Sequence, residues 1–260
     1  MLPKTKIKQS FANAAIAYDS VATLQRQVSE TLLQHLGAIG PMDTVVDLGC
    51  GTGFLIDNLL AQNNNMATQV IALDIALPML KTARNKLISD RSVTYLCADA
   101  EYLPLTPQSV DLAISNLAFQ WCGNLGQAFS DVKRILKPKG RFVFTTFGPN
   151  TLHELTHAWR QVDDYAHVNT FYNTTQLNGF LKWAGFQQVE LETRTYISAY
   201  ESVWGLMAEL KQLGAHTVMA GRNKQFTSRS AMQRMMSAYQ QDENGEIPAT
   251  FEVITAMARA

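Results

Sequence analysis

Residues 45–53 read Val-Val-Asp-Leu-Gly-Cys-Gly-Thr-Gly: an apolar run, an acidic residue, then glycine at every second position. Glycine adopts backbone angles that a Cβ forbids and lets a ligand lie against the main chain, so the stretch predicts a strand running into a ligand-binding turn. The spacing narrows the ligand. A dinucleotide fingerprint runs G-x-G-x-x-G and seats a pyrophosphate on a helix N-terminus. Here the spacing is G-x-G-x-G, and Asp47 precedes it. A carboxylate at that point repels a pyrophosphate and suits a cationic ligand. An ordinary tight strand-to-helix turn is the alternative.

Outward from this turn, short apolar runs alternate with amphipathic ones. Strands are predicted at 45–48, 70–74, 93–97, 110–115, 141–147 and 189–193, with helices at 53–62, 77–88, 125–136 and 174–184. Such alternation predicts an α/β fold, a mostly parallel sheet with helices on both faces. Upstream, Phe11, Ala14, Tyr18, Val21, Leu24, Val28 and Leu32 recur at three-to-four spacing. They predict one amphipathic helix over 10–36, lying across the sheet or its ligand edge. Lys137-Pro138-Lys139-Gly140 predicts a helix stop and a turn into the next strand, and 251–255 a closing strand. The stretches 148–173 and 196–248 are too long for plain connections and are expected to carry specificity.

Composition sets the outer bounds. With 260 residues, 47% of them hydrophobic, the chain can bury one full core, and a single domain is the simplest reading. Lys plus Arg and Asp plus Glu both number 22, so global charge does not argue for nucleic acid or an anionic membrane. Cys50, Cys97 and Cys122 are widely spaced, with no C-x-x-C pair or histidine cluster, which predicts reduced thiols and no metal site. The basic start leads into a helical pattern without an apolar signal core, and no run reaches the ~18 apolar residues of a membrane span. A cytoplasmic location is expected.

In an open α/β sheet the ligand lies at the carboxyl ends of the strands. Asp47 and the glycines end the first predicted strand, and Asp74 the second, where a carboxylate can accept from both hydroxyls of a ribose. Asp99 and Ala100 follow the third, placed to accept from an exocyclic amine and to offer a backbone N–H to a ring nitrogen. Asn116 follows the fourth. Singly, Asp74 or Asp99 reads equally well as a cap. In this order and spacing they read together as a nucleoside site.

The combination resembles the class I S-adenosylmethionine-dependent methyltransferases. That resemblance implies a Rossmann-like fold with a mostly parallel seven-stranded sheet, S-adenosyl-L-methionine as cofactor and S-adenosyl-L-homocysteine as product. It implies cofactor binding by Asp47, Gly49, Gly51, Gly53, Asp74, Asp99, Ala100 and Asn116, with Met79 packing near adenine. Members that methylate exocyclic amines carry Asn-Pro-Pro-Tyr-like sequences at the fourth strand end. Asn116-Leu-Ala-Phe119 departs from that pattern, which leaves carbon and oxygen acceptors.

A narrower resemblance spans most of the chain. Phe11-Ala-x-Ala-Ala-x-x-Tyr18-Asp, Ser115-Asn-Leu-Ala-Phe-Gln-Trp121, Phe147-Gly-Pro-Asn-Thr-Leu-His-Glu-Leu155 and Glu209-Leu-Lys-Gln-Leu-Gly-Ala-His216 look like the malonyl-acyl-carrier-protein methyltransferases of early biotin synthesis. Trans-aconitate and quinone-pathway methyltransferases share the first half. The family implies one domain: a helical cover at 1–40, a cofactor-binding core at 41–195, a helical acceptor-side insertion at 196–248 and a closing strand at 249–260. It also implies methylation of a carboxylate already ionised at neutral pH, so the expected groups are carboxylate-holding donors and not an acid/base pair. Tyr18, Gln120, Trp121 and Arg222 are the positioning candidates, with His167, Asn169, Lys211, His216 and Arg222 for substrate. Arg222 reads equally as a bidentate clamp or a surface arginine, His167 as a substrate contact, a cap or a core residue. From Leu210 through Gln241 there is no acidic residue, while Lys211, Arg222, Lys224, Arg229 and Arg234 all occur. This basic stretch over 211–234 suits an acidic partner, acyl carrier protein, or a solvated helical insertion.

Overall fold

The computed structural model describes residues 4–36, 42–62, 67–87, 92–215 and 227–260. The apolar run before the glycine turn is strand β1 (Met42–Leu48), whose last four residues are buried. A strand covered on both faces needs helices on both, and the chain supplies them. Helices α1 (Lys4–Ala14), α2 (Tyr18–Val21) and α3 (Thr23–Leu36) precede it. Then come α4 (Phe54–Gln62), β2 (Ala67–Asp74), α5 (Leu77–Lys86), β3 (Val93–Cys97), β4 (Val110–Ser115), a 3-10 turn at Phe119–Trp121, α6 (Leu125–Ile135) and β5 (Leu136–Phe147). The remainder is α7 (His153–Arg160), α8 (Thr174–Trp183), β6 (Gln187–Tyr200), α9 (Val203–Gln212), α10 (Arg229–Ala238) and β7 (Ile247–Arg259).

The strands form one seven-stranded sheet in the order β3-β2-β1-β4-β5-β7-β6. β1 to β5 pair in parallel, and β7 inserts antiparallel between β5 and β6. This is the mostly parallel, Rossmann-like sheet expected from the alternation. Strand order reverses between β1 and β4, which opens a crevice beyond their carboxyl ends. On one face Phe119, Phe129, Phe142 and Phe144 pack against one another, mostly edge to face, at ring separations of 4.6 to 5.6 Å beneath α6 and α8. Burying each ring contributes roughly 1.5–3 kcal/mol relative to exposure. On the other face Leu32, Leu33 and Leu36 of α3 meet Val45, Leu112 and Val143. Among the described residues no helix is long and apolar enough to cross a membrane.

Four local expectations need correction. The single helix over 10–36 is three helices, although neither proline nor glycine marks the breaks. The apolar spacing persists because each piece buries its own face: Ala14 and Ala15 pack on Ala76 and Met79, whereas Leu24 and Val28 join a separate cluster. The turn at 137–140 is a bulge inside β5. Pairing jumps from Val110↔Leu136 to Leu112↔Arg141, and Lys139 takes a φ of 66°. The strands β6 and β7 run far beyond 189–193 and 251–255, pairing from Gln187↔Arg259 to Tyr200↔Ile247. β6 is partly covered only at 189, 191, 196, 198 and 200 and exposed in between, four residues running at 192–195, so its polar character hid its length, and residues 196–200 belong to it and not to the helical insertion. The stretch 148–173 contains α7, entered through Leu152 at a φ of 54°.

Candidate functional site

The glycine turn is bonded to the neighbouring strand end. The N–H groups of Gly49 and Cys50 both donate to the Leu73 carbonyl, at 2.8 and 2.9 Å. Gly49 has a φ of 79°, and a Cβ on it would stand 2.4 Å from the Ala118 Cβ, so only glycine passes there. Asp74 accepts from the N–H of Ala76 at 2.7 Å and of Gly51 at 3.0 Å, one bond to each oxygen. Burial pushes its carboxyl up to about 6, against the pull of those N–H groups. Asp47 is 1% exposed, and neither oxygen has a partner among the described residues. Burial, reinforced by the nearby Asp74 charge, raises it well above the usual carboxylate range. A buried carboxylate without a partner is very costly, which marks Asp47 as a group that awaits a cation.

Three cavities meet at this edge of the sheet. A chamber of about 100 Å³ is lined by Tyr18, Asp74, Met79, Asp99, Ala100 and Trp121, among others. A smaller one of about 50 Å³ is lined by Tyr18, Gln25, Arg26, Asp47, Gly51 and Thr52. The two share Tyr18, Gly49, Gly51 and Asn116. A third cavity of about 260 Å³ is walled mainly by apolar side chains, including Leu155, Trp159 and Phe251, and its polar lining is Gln25, Gln120, Thr151, His167, Asn169, Glu209 and Thr227. Trp121 lines both the first and the third, and Gln25 both the second and the third. Gln25 and Trp121 therefore stand where all three converge.

The N-terminal helices are fastened over this junction. Lys4 Nζ lies 2.8 Å from Asp99 Oδ1 and 2.5 Å from Glu101 Oε1. Asp19 accepts from Lys86 at 2.7 Å and Thr52 at 2.6 Å, and Phe11 meets Trp121 edge to face at 5.4 Å. Tyr18 is thereby held inward, where burial raises its phenol above the usual range. In the large cavity the His167 ring stacks on Trp159, 3.6 Å apart and 2° from parallel, with Nε2 2.9 Å from Asp163 Oδ1.

The sequence matches the methyltransferase domain family over residues 46–144, from β1 into β5. A malonyl-[acyl-carrier protein] O-methyltransferase of Methylococcus capsulatus is 42% identical over 256 residues, covering 95% of this chain and 90% of that one. The chain belongs to the malonyl-[acyl-carrier protein] O-methyltransferase family. The biotin biosynthesis bifunctional protein BioHC of Cellvibrio japonicus is 40% identical over 251 residues, 96% of this chain and 49% of that longer one. Among solved structures, the YcgJ protein of Bacillus subtilis shares the fold at a TM-score of 0.65 and 16% identity, over 89% of this chain and 97% of that one.

For a member of this methyltransferase family, the first two chambers fit S-adenosyl-L-methionine. The unpartnered Asp47 suits a cation, and a Cβ at Gly51 would meet nothing within 4 Å, so the main chain there is open to a ligand. Asp47, Gly49, Gly51, Asp74, Met79, Asp99, Ala100 and Asn116 all line one or both chambers. Gly53 does not. Its Cβ would meet Ala83 at 3.1 Å and Leu87 at 3.2 Å, so it packs the turn against α5 and lines none of the three cavities. Asn116 is pinned, its amide donating to the Gln25 carbonyl at 2.8 Å and its oxygen accepting from Thr145 at 2.8 Å.

On the acceptor side Gln120, Trp121, His167 and Asn169 line the large cavity. Lys211 does not, because α9 turns Met207 and Leu210 toward it and leaves Lys211 exposed. His216 and Arg222 lie outside the described residues. Sequence reading missed Gln25 and Arg26. They sit on the helix that supplies Leu24 and Val28 to the core, and two polar residues beside an apolar stripe read as its solvent face.

Proposed function

We propose that the chain transfers a methyl group from S-adenosyl-L-methionine to the free carboxylate of a malonyl thioester on acyl carrier protein. The products are S-adenosyl-L-homocysteine and the methyl ester that primes pimeloyl assembly in biotin synthesis. The meeting of two polar chambers and one largely apolar cavity at Gln25 and Trp121, in a chain of this family, carries the reading. When bound, the donor supplies an electrophilic methyl on a positively charged sulfur. Asp74 accepts from the ribose hydroxyls, Asp99 and Ala100 meet the base, and Met79 packs against it.

A malonyl carboxylate is ionised at neutral pH, so it attacks without a general base. Protein groups therefore act by alignment and by excluding water, effects worth several kcal/mol when the reacting atoms are held close. Leu155, Trp159 and Phe251 supply the dry wall, while Gln120, Asn169 and His167 hold the carboxylate without quenching it. Of the three histidines that could serve as a base for another acceptor, His153 and His157 line a separate groove beside α10, and His167 lines the acceptor cavity. Esterification removes a charge whose burial in an apolar elongation pocket would be prohibitive.

The chain works as one domain, in which 1–40 covers the donor, 41–195 binds it and the insertion receives the acceptor. The acidic carrier docks on the 211–234 stretch, where Lys211, Arg229 and Arg234 are exposed. Arg222 and His216, outside the described residues, remain the candidates for the malonyl carboxylate on the strength of the sequence, and the enzyme acts in the cytoplasm. A labelled-methyl assay tests this with malonyl-carrier protein, malonyl-coenzyme A, trans-aconitate and a quinone precursor. Incorporation into malonyl thioester is expected, and incorporation only into one of the last two would reject the proposal. Arg222→Ala should impair acceptor use and leave S-adenosylhomocysteine affinity unchanged.

A further inference from the structure

The acceptor cavity carries charge of an unexpected sign. A pocket for an anionic substrate usually offers a lysine or an arginine, yet among the described residues neither lines it. Its single carboxylate is Glu209, on α9. The other polar groups of the wall are amides, hydroxyls and one imidazole.

Glu209 is held in place from two directions. α9 begins at Ser202, whose side chain accepts from the Gly205 N–H at 3.2 Å, and it buries Val203 and Leu206. The helix is thereby anchored with Met207, Glu209 and Leu210 against the cavity. From the end of β6 the Tyr200 hydroxyl donates to Glu209 Oε1 at 2.8 Å. Burial, and next the bond to Glu209, raises the Tyr200 phenol above its usual range, so it keeps its proton and stays a donor. A carboxylate accepts at about four lone-pair sites, so one hydroxyl leaves Glu209 able to accept from a ligand as well.

Such a wall treats two kinds of acceptor differently. Like charges repel strongly where apolar walls keep the dielectric low and salt out. With no lysine or arginine to offset it, a second carboxylate on the acceptor meets Glu209 unscreened. A neutral tail bearing an amide N–H instead gains a charge-assisted hydrogen bond at the same place. We propose that Glu209 is a specificity-determining residue that selects the acceptor by charge: one carboxylate to be methylated, followed by an uncharged tail that donates an N–H. The arm of acyl carrier protein is of this class, since it carries its thioester on neutral amides. Trans-aconitate, with three carboxylates, is turned away by the same group.

This inference rests on the malonyl-thioester reading, and a set of small acceptors separates the two. Each is a malonyl thioester, formed with N-acetylcysteamine for an amide tail, with ethanethiol for an apolar tail, or with 3-mercaptopropionate for a second carboxylate. Methyl transfer from S-adenosylmethionine is measured as kcat/KM, beside malonyl-carrier protein. The unmodified protein should prefer the amide tail to the apolar one by about threefold and to the carboxylate tail by about thirtyfold. Glu209→Gln keeps the shape and an acceptor for Tyr200 but removes the charge. It should lower kcat/KM for the amide tail by roughly three- to tenfold and raise it for the carboxylate tail by about tenfold. A variant damaged in its fold loses on every acceptor, so a gain on one identifies the charge. Equal use of the amide and carboxylate tails by the unmodified protein, or an unchanged ratio in Glu209→Gln, would overturn the assignment. The first comparison needs no variant and decides the matter even if Glu209→Gln does not fold. Methylation of malonyl-carrier protein but of none of the small acceptors would overturn the role of Glu209 and leave the malonyl reading standing, whereas failure with malonyl-carrier protein as well would end both.

Discussion

The donor chambers and the acceptor cavity lie side by side at one edge of the sheet, yet they are built on opposite plans. The donor side is a set of polar groups at strand ends, fixed by main-chain hydrogen bonds such as those from Ala76 and Gly51 to Asp74. The acceptor cavity is a gap among mainly apolar side chains from α3, α7, α9, α10 and β7, and no carboxylate lining it is left without a partner as Asp47 is. A ligand rich in hydrogen-bonding groups demands particular residues at particular backbone positions. An acceptor carried on a flexible arm demands mainly space, dryness and a way in. Substitutions on the two sides should accordingly fail in different ways.

The donor side should break most severely at Gly49. Gly49→Ala places a methyl 2.4 Å from the Ala118 Cβ in a backbone conformation that alanine resists. Left-handed strain alone costs about 1–2 kcal/mol, and the overlap adds to it. Thermal unfolding should shift down by roughly 5–10 °C for a domain of this size, with S-adenosylhomocysteine binding lost in titration. A variant that binds normally would show that the turn can relax and that the close approach is not required.

Asp47→Asn comes next and should split binding from stability. The buried, unpartnered carboxylate destabilises the ligand-free protein, so a neutral group of the same shape should raise its unfolding temperature by an amount worth about 1 kcal/mol. The same change removes a charge-assisted bond and should weaken S-adenosylhomocysteine by about 10- to 100-fold. Loss of both properties together would mean that Asp47 is ionised and internally compensated before the ligand arrives.

A pH series reads the same contrast more gently. Asp74 is raised to about 6 in the folded protein by burial, so it takes up its proton there before it would in the unfolded chain. In the ligand-free protein this group therefore contributes stability that is present below about pH 4 and is lost as pH rises through 6. Ribose hydroxyls donate to the ionised form, so S-adenosylhomocysteine affinity should fall several-fold between pH 7.5 and 5. Asp47 and Tyr18 face the same space, and Asp47 shifts in the same direction. Asp74→Asn should lower affinity at pH 7.5 by about 1–3 kcal/mol and flatten the profile, and a profile unchanged in that variant would assign the titration to Asp47.

What could be read from the sequence follows the same division. The position of Asp47, Gly49, Gly51, Asp74 and Asp99 beside the chambers was legible because each sits at a fixed offset from a strand, and strand alternation survives in the apolar pattern. Gly53 misled because the spacing that marks ligand approach is identical to the spacing that lets a turn pack on α5. Gln25 and Arg26 were hidden for a different reason. Their place at the cavities depends on how α3 docks across the strand ends, a tertiary fact that helical periodicity does not contain. The acceptor cavity shows this most fully: Leu155, Trp159 and Phe251 look like core in sequence, and only the arrangement of α7 and β7 leaves a space between them.

The acceptor side should answer with smaller, selective losses. His167 contributes a stacked face against Trp159 and a bond to Asp163, and its ring lines the large cavity. Removing it trims one wall and one polar contact without touching the glycine turn. His167→Ala should therefore raise the KM for malonyl-carrier protein about five- to tenfold, the equivalent of roughly 1 kcal/mol for one stacked ring and one hydrogen bond. S-adenosylhomocysteine affinity should stay within twofold, because Trp159 and Asp163, which hold the histidine, line neither donor chamber. His167→Phe keeps the stack and lacks the nitrogen atoms, so it separates the two contributions: recovery of KM assigns the effect to packing, and its absence to the polar contact. A fall in donor affinity in either variant would show that the two sides are coupled through Gln25 and Trp121, and that the division between them is weaker than their separate construction implies.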